Sequence, residues 1–293
     1  MQPRHHHVNV PNIVVEGTVA AGFHRIAYTE WGEQENKNIL VCVHGLTRNS
    51  RDFDLLAGAL QQQYRILCVD IAGRGQSQWL DEASAYNYNT YVADVLALLT
   101  HLQISQVDWV GTSMGGLIGM LLAASHPGLI HKLVLNDIGP FIPAATLKRI
   151  GRYVAATPEF TDLIDAEKHL RTILAPFAIT SAAHWQHITE HSVMHNAQGK
   201  WILAYDPAIA KIFQQGSNGE EMKDIDLWGV WQHVSCPVLV LRGAISDALL
   251  AETAAQMQVN KPSVTLVEFA GIGHAPALME EVQINVVKKW LIT

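Results

Sequence analysis

The segment Val107-Asp108-Trp109-Val110-Gly111-Thr112-Ser113-Met114-Gly115-Gly116 decides how this chain folds. It opens as an apolar strand, turns through Gly111-Thr112-Ser113-Met114-Gly115, and runs into the helix-forming Leu117-Ile118-Gly119-Met120-Leu121-Leu122-Ala123-Ala124. A serine hydroxyl is a weak nucleophile unless it is held exposed beside a base. A sharp strand-to-helix turn holds it that way, and the tight backbone needs small neighbours, which Gly111 and Gly115 supply. The helix that begins there also directs backbone N–H groups toward a developing negative charge. A purely structural turn can carry the same five residues, so the partners of Ser113 have to distinguish the two.

Short apolar runs and helical patterns alternate around this turn. Asn38 to Val43, Arg65 to Val69, Lys132 to Asn136, Val238 to Arg242 and Val264 to Glu268 read as strands, mostly buried on both faces. Phe23 to Trp31 is a strand of mixed alternation. Asp52 to Gln62, Tyr88 to Leu102 and Glu280 to Ile292 have helical spacing, with Tyr91, Val95, Leu98 and Leu102 along one face of the second. Strands alternating with helices predict an α/β fold, a mostly parallel central sheet flanked by helices.

One interval departs from this rhythm. Between Asn136 and Val238 the pattern is helical, punctuated by Pro140, Pro143, Pro158, Pro176 and Pro207 and rich in Phe, Tyr and Trp. It is too long for an ordinary connection. We expect a helical cap over residues 138–233, inserted between two parts of a sheet domain at 1–137 and 234–293. Which cap aromatics line a pocket is not legible.

Composition narrows the function classes. Of 293 residues, 49% are hydrophobic and 16% charged, enough to bury a large core. A net charge of −7 without a basic cluster argues against nucleic acid as a partner. No apolar run approaches the roughly 20 residues of a membrane span, and the start, Met1 to His7, has no apolar signal region. The three cysteines, Cys42, Cys68 and Cys236, are scattered and read as reduced thiols, so a cytoplasmic protein is expected. His5, His6 and His7 read as an exposed tail. Oligomeric state is not legible.

A nucleophilic serine requires a base, and the base an orienting acid. Asp247, in Arg242-Gly243-Ala244-Ile245-Ser246-Asp247, follows the Val238 strand; His274, in Gly271-Ile272-Gly273-His274-Ala275-Pro276, follows the Val264 strand. Asp247 also suits a helix N-cap. Asp137, just past the strand that ends at Asn136, is the alternative acid. Two further stretches carry a resemblance: His44-Gly45-Leu46-Thr47 at the end of the Asn38 strand, and Asp70-Ile71-Ala72-Gly73-Arg74-Gly75-Gln76-Ser77 after the Arg65 strand.

Over nearly its full length the chain resembles the α/β-hydrolase superfamily, in particular its capped esterases and meta-cleavage-product hydrolases. The resemblance implies a triad of Ser113, Asp247 and His274, with the backbone N–H groups of Leu46 and Met114 as the oxyanion hole. His44 is expected to orient its loop by hydrogen bonds and Asp70 to brace the Gly73–Gly75 turn. Asn136-Asp137-Ile138-Gly139-Pro140 resembles the hinge that leads into the cap of esterase-like members.

Related enzymes of this fold that open haloalkanes or epoxides carry an aspartate at the turn, whereas this chain has Ser113, which favours acyl chemistry. The expected function is a carboxylesterase-type serine hydrolase acting on small to medium carboxylic esters through an acyl-enzyme, with no cofactor. The alternatives are a C–C bond hydrolase of meta-cleavage products, a lactonase, a thioesterase or a perhydrolase. A receptor-like ligand binder with very slow turnover is the non-enzymatic alternative. No cap arginine stands out as a carboxylate anchor, and Arg149, Arg152 and Arg171 are candidates. His184, His187, His191 and His195 recur at helical spacing; with no carboxylate paired to them in sequence, we expect no metal there.

Overall fold

The apolar runs either side of Ser113 become neighbouring strands. In the computed structural model, residues 2–13, 22–213 and 222–293 are described; Met1 of the N-terminal stretch lies outside them. The first part of the chain contributes β1 (Arg4–Pro11), β2 (Phe23–Trp31), β3 (Ile39–Val43), α1 (Asp54–Leu60), β4 (Arg65–Asp70) and α2 (Tyr88–His101). The central turn joins β5 (Val107–Thr112) to α3 (Met114–Ser125), and β6 (Ile130–Asn136) follows. After an inserted segment come β12 (Val238–Gly243), α8 (Ala251–Asn260), β13 (Thr265–Phe269) and α9 (Glu281–Ile292). The inserted elements are β7 (Phe141–Ile142), α4 (Ala144–Val154), β8 (Glu159–Phe160), α5 (Leu163–Ile173), α6 (Ala182–Ser192), β9 (Val193–His195), β10 (Trp201–Leu203), β11 (Ile225–Asp226) and α7 (Trp228–His233).

Among the described residues one eight-stranded sheet forms in the order β1-β2-β4-β3-β5-β6-β12-β13. It is parallel from β4 through β13, and β1 and β2 add antiparallel at one edge. Helices cover both faces, which is why β3, β4, β5 and β12 are apolar almost without alternation. One face packs Trp109, Val95, Leu117 and Met257 from β5, α2, α3 and α8; the other packs Leu56, Leu60, Val287 and Leu291 from α1 and α9.

Two expectations need correction. The histidine-rich start is no free tail. Residues 4–11 pair with β2 in continuous register, Val8 opposite Ile26 and His6 opposite Tyr28. Val8 and Val10 are buried while His5, His7 and Asn9 face solvent, the alternation of an edge strand. The inserted segment is not wholly helical either. Strands of two or three residues make a small sheet, β8-β10-β9, and a β11-β7 pair. Runs this short leave no periodicity to read. β6 and β12, the strands the insertion separates in sequence, are direct neighbours in the sheet.

Candidate active site

The turn after β5 places Ser113 in a strained conformation, φ 50° and ψ −111°. Its crowding explains the glycines. A Cβ on Gly115 would lie 2.0 Å from the Val43 carbonyl oxygen, and one on Gly111 would lie 2.3 Å from the Gly115 carbonyl carbon. Ser113 N–H donates to the Asn136 carbonyl at 3.0 Å, tying the turn to the end of β6.

His274 reaches this serine from the loop after β13. Its Nε2 lies 2.9 Å from Ser113 Oγ, and its Nδ1 lies 2.6 Å from Asp137 Oδ2. The carboxylate can only accept when ionised, so Nδ1 carries the proton and Nε2 is free to accept from the serine. Asp137 is fully buried and sits at φ 59°, a conformation aspartate tolerates better than most residues. Its oxygens are otherwise held by Gly243 N–H at 2.8 Å and Ser246 Oγ at 2.6 Å. Both donors come from the end of β12.

Asp247 is not part of this chain of hydrogen bonds. It points to the surface, where Arg149 Nε and Nη2 donate to its two oxygens at 2.6 and 2.7 Å, with both side chains close to half exposed. The acid beside His274 is therefore Asp137. The loop after β12 delivers its Gly243 N–H and the Ser246 hydroxyl to that carboxylate, and Asp247, one residue further on, turns toward α4. Sequence order and strand context fit both aspartates; what separates them is the Ser246 hydroxyl, whose bond to Asp137 only the fold reveals.

The loop after β3 lies against the turn. A Cβ on Gly45 would come within 3.9 Å of Ser113 Cβ. His44 is fully buried, its Nδ1 donates to the Gly45 carbonyl at 2.7 Å and its Nε2 accepts from Ile71 N–H at 3.1 Å. Burial pushes the His44 pKa down to about 3, so the ring stays neutral and keeps this tautomer. A trans peptide sends its N–H opposite to its C=O, so anchoring the Gly45 carbonyl aims the Leu46 N–H away from His44. Neither Leu46 N–H nor Met114 N–H has a backbone acceptor among the described residues. Both residues line the same cavity as Ser113 and His274.

Arg74, between the two turn glycines, escaped the sequence reading. It is fully buried: Nε donates to the Leu46 carbonyl at 2.8 Å, Nη1 to the Ala72 carbonyl at 2.7 Å and to Tyr91 OH at 2.9 Å. Nη2 lies 3.7 Å from Met114 Sδ. One guanidinium thus braces the loop of Leu46 against the start of α3. Asp70 braces the same turn from below, accepting from Ser50 N–H at 2.7 Å and Gln76 N–H at 2.9 Å.

The cavity over Ser113 has a volume of about 700 Å³. Met114, Leu117 and Tyr91 line it, together with Ile142, Leu147 and Ile150 from the inserted segment. Asp81, Glu82 and Lys211 are its exposed charged residues. Of the aromatic residues in the insertion, Phe213 lines the cavity, while Trp185 and Trp231 are buried elsewhere. Arg149, Arg152 and Arg171 do not line it; Arg149 holds Asp247, and Arg171 pairs with Glu167 at 2.7 Å.

The alpha/beta hydrolase fold family profile matches residues 38–280. The chain belongs to that family and is a hydrolase of it. It is 41% identical over 271 residues to a 3-hydroxybutyrate-oligomer hydrolase of Cupriavidus necator, covering 91% of this chain and 92% of the relative. It superposes with TM-score 0.90 and 37% identity on the X-ray crystal structure of a Rickettsia typhi protein, covering 100% of this chain and 99% of that one. An alpha/beta hydrolase from Novosphingobium aromaticivorans follows at TM-score 0.86 and 31% identity, covering 99% and 98%. No helix among the described residues is long and apolar enough to cross a membrane.

Proposed function

We propose that this protein is a serine esterase that cleaves short hydroxyalkanoate esters, with 3-hydroxybutyrate oligomers as its most favoured substrate class. The observation that carries the proposal is the continuous relay Ser113 Oγ···Nε2 His274 Nδ1···Oδ2 Asp137, at 2.9 and 2.6 Å, opening on a largely apolar cavity. The name of the 41% identical relative supplies the substrate class.

In this scheme Ser113 Oγ bonds to the ester carbonyl carbon as its proton passes to His274 Nε2. Asp137 stabilises the imidazolium and keeps Nδ1 protonated. The carbonyl oxygen becomes an oxyanion held by the Leu46 and Met114 N–H groups, an interaction in which each donor supplies about 3 kcal/mol. Collapse of the adduct breaks the C–O bond, and the departing alkoxide takes the proton from Nε2. Water then attacks the acyl-enzyme, giving its proton to His274. The second collapse returns that proton to Ser113 Oγ and frees the acid. Residues 138–233 act as the cap that roofs the cavity. The unpaired Cys42, Cys68 and Cys236 fit the reducing cytoplasm as the compartment.

The test is hydrolysis of 3-hydroxybutyrate dimer and trimer beside p-nitrophenyl esters of graded acyl length. Wild type is expected to turn over the oligomers with a higher kcat/KM than the simple esters, and Ser113→Ala to lose about 10⁴-fold or more in kcat. Turnover by Ser113→Ala within tenfold of wild type rejects the mechanism. A preference for simple esters over the oligomers rejects the substrate class alone.

A further inference from the structure

The stripe of four histidines separates in the fold. His184 Nδ1 lies 3.3 Å from Glu280 Oε1, and His195, in β9, packs on Trp201 with ring centroids 3.7 Å apart. His187 and His191 stay together, one turn apart on α6, with ring centroids separated by 4.4 Å. The carboxylate that the sequence does not pair with them arrives from α1. One potential ligand atom from each of Asp54, His187 and His191 lies within 4.8 Å of the other two.

The state of each group suits a ligand. Asp54 is 7% exposed; its Oδ2 accepts from Arg51 Nε at 2.8 Å, but its Oδ1 is buried with no hydrogen-bond partner among the described residues. A buried carboxylate oxygen left unmatched is costly and calls for a partner. His191 donates from Nδ1 to the His187 carbonyl at 2.7 Å, which leaves Nε2 with its lone pair. An N–H···O=C bond of this kind orients metal-ligating imidazoles generally. His187 Nε2 lies 3.6 Å from Asp54 Oδ2 and donates to the Arg51 carbonyl at 2.9 Å, a bond it can exchange for one to an ion.

We propose that Asp54, His187 and His191 form a binding site for a divalent cation of the zinc class (Zn²⁺, Co²⁺ or Ni²⁺), latching α6 onto α1. Two imidazoles and one carboxylate, with water in the fourth position, are a zinc-type donor set; Ca²⁺ and Mg²⁺ prefer all-oxygen shells. Zinc–ligand bonds of about 2.0–2.2 Å bring donors closer together than they lie here. The partly exposed rings of His187 and His191 close that gap by side-chain rotation, and their exposure gives the ion its route in. The Arg51 guanidinium opposes the ion's charge, so binding is weaker than at a site with a free carboxylate. Existing contacts already define the seam: Arg48 Nη1 donates to Ser192 Oγ at 2.7 Å, and Asn49 Nδ2 to the His191 carbonyl at 2.6 Å. The three ligands do not line the cavity over Ser113.

The test uses the full chain carrying His5→Ala and His7→Ala, because those two exposed histidines of β1 offer a competing chelate. Calorimetric titration with ZnCl₂ is expected to show one bound equivalent, and Zn²⁺ to raise Tm by at least about 2 °C at saturation. Co²⁺ is expected to give the intense visible bands of a tetrahedral N/O site. His191→Ala and His187→Ala should each weaken Zn²⁺ binding more than tenfold, since losing even an outer partner of a ligand costs about that much. Asp54→Asn should do the same. If that buried substitution unfolds the chain, the two histidine variants carry the test. Absence of Zn²⁺ binding, or affinity unchanged in the His187→Ala/His191→Ala double variant, overturns the proposal.

Discussion

β6 and β12 run side by side, and each delivers an aspartate just beyond its end, yet the two carboxylates have opposite fates. Asp137 is fully buried, held by Gly243 N–H and Ser246 Oγ, and in contact with His274 Nδ1. Asp247 is half exposed and occupied by Arg149. An exposed pair such as Asp247–Arg149 contributes about 0–1 kcal/mol. A buried carboxylate persists only with its lone pairs matched, which the end of β12 does for Asp137. The two strand ends therefore act as one device, with β6 supplying the acid and β12 the donors that hold it.

The strongest way to break this contrast is to neutralise each acid in turn. Asp137→Asn is expected to lower kcat by about 10⁴-fold, because the amide no longer favours the tautomer with Nε2 free. Asp247→Asn should stay within about threefold of wild type in the same steady-state assay. If Asp247→Asn is the more damaging, the assignment fails.

The buried loop of His44 extends the contrast to pH. Its pKa in the folded chain, about 3, lies below the ordinary histidine value, so as pH falls below about 6.5 the unfolded chain gains a proton that the folded chain refuses. This group's contribution to stability is thus lost on acidification, by about 2 kcal/mol between pH 7 and pH 5. Urea unfolding of wild type and His44→Asn at both pH values checks it: the stability gap between them should narrow by that amount at pH 5. A gap that is constant or widens would mean the ring is protonated in the folded protein.

Smaller effects sharpen the picture. Ser246→Ala removes one donor from Asp137 and should cost about tenfold in kcat with KM nearly unchanged. Arg149→Ala should change stability by less than about 1 kcal/mol by chemical denaturation, since its pair with Asp247 is open to solvent. A larger loss would give Asp247 a structural weight that its exposure does not suggest.

Much of this was legible from the residues. The elbow around Ser113, the buried strands β3, β4, β5, β6 and β12 and the position of His274 all follow from apolar runs and glycine-flanked turns, local signals that burial on both faces of those strands makes strong. The acid was not, because two aspartates stand in equivalent places after adjacent strands, and only the side chains that surround them in space separate them. Arg74 was missed for a related reason: a turn arginine between glycines looks like surface until Leu46, Ala72 and Tyr91 close around it. The edge strand β1 was hidden by its exposed histidines, and the link of Asp54 to His187 and His191 by more than a hundred residues of intervening chain.

Covalent labelling with a fluorophosphonate tests the central claim most directly, because it reads the relay that activates Ser113 without depending on the natural substrate. Peptide mass mapping should place the adduct on Ser113, at equal rates in wild type and Asp247→Asn and at least about 100-fold more slowly in Asp137→Asn. An adduct on another residue, or labelling slowed by loss of Asp247 and not of Asp137, would contradict it.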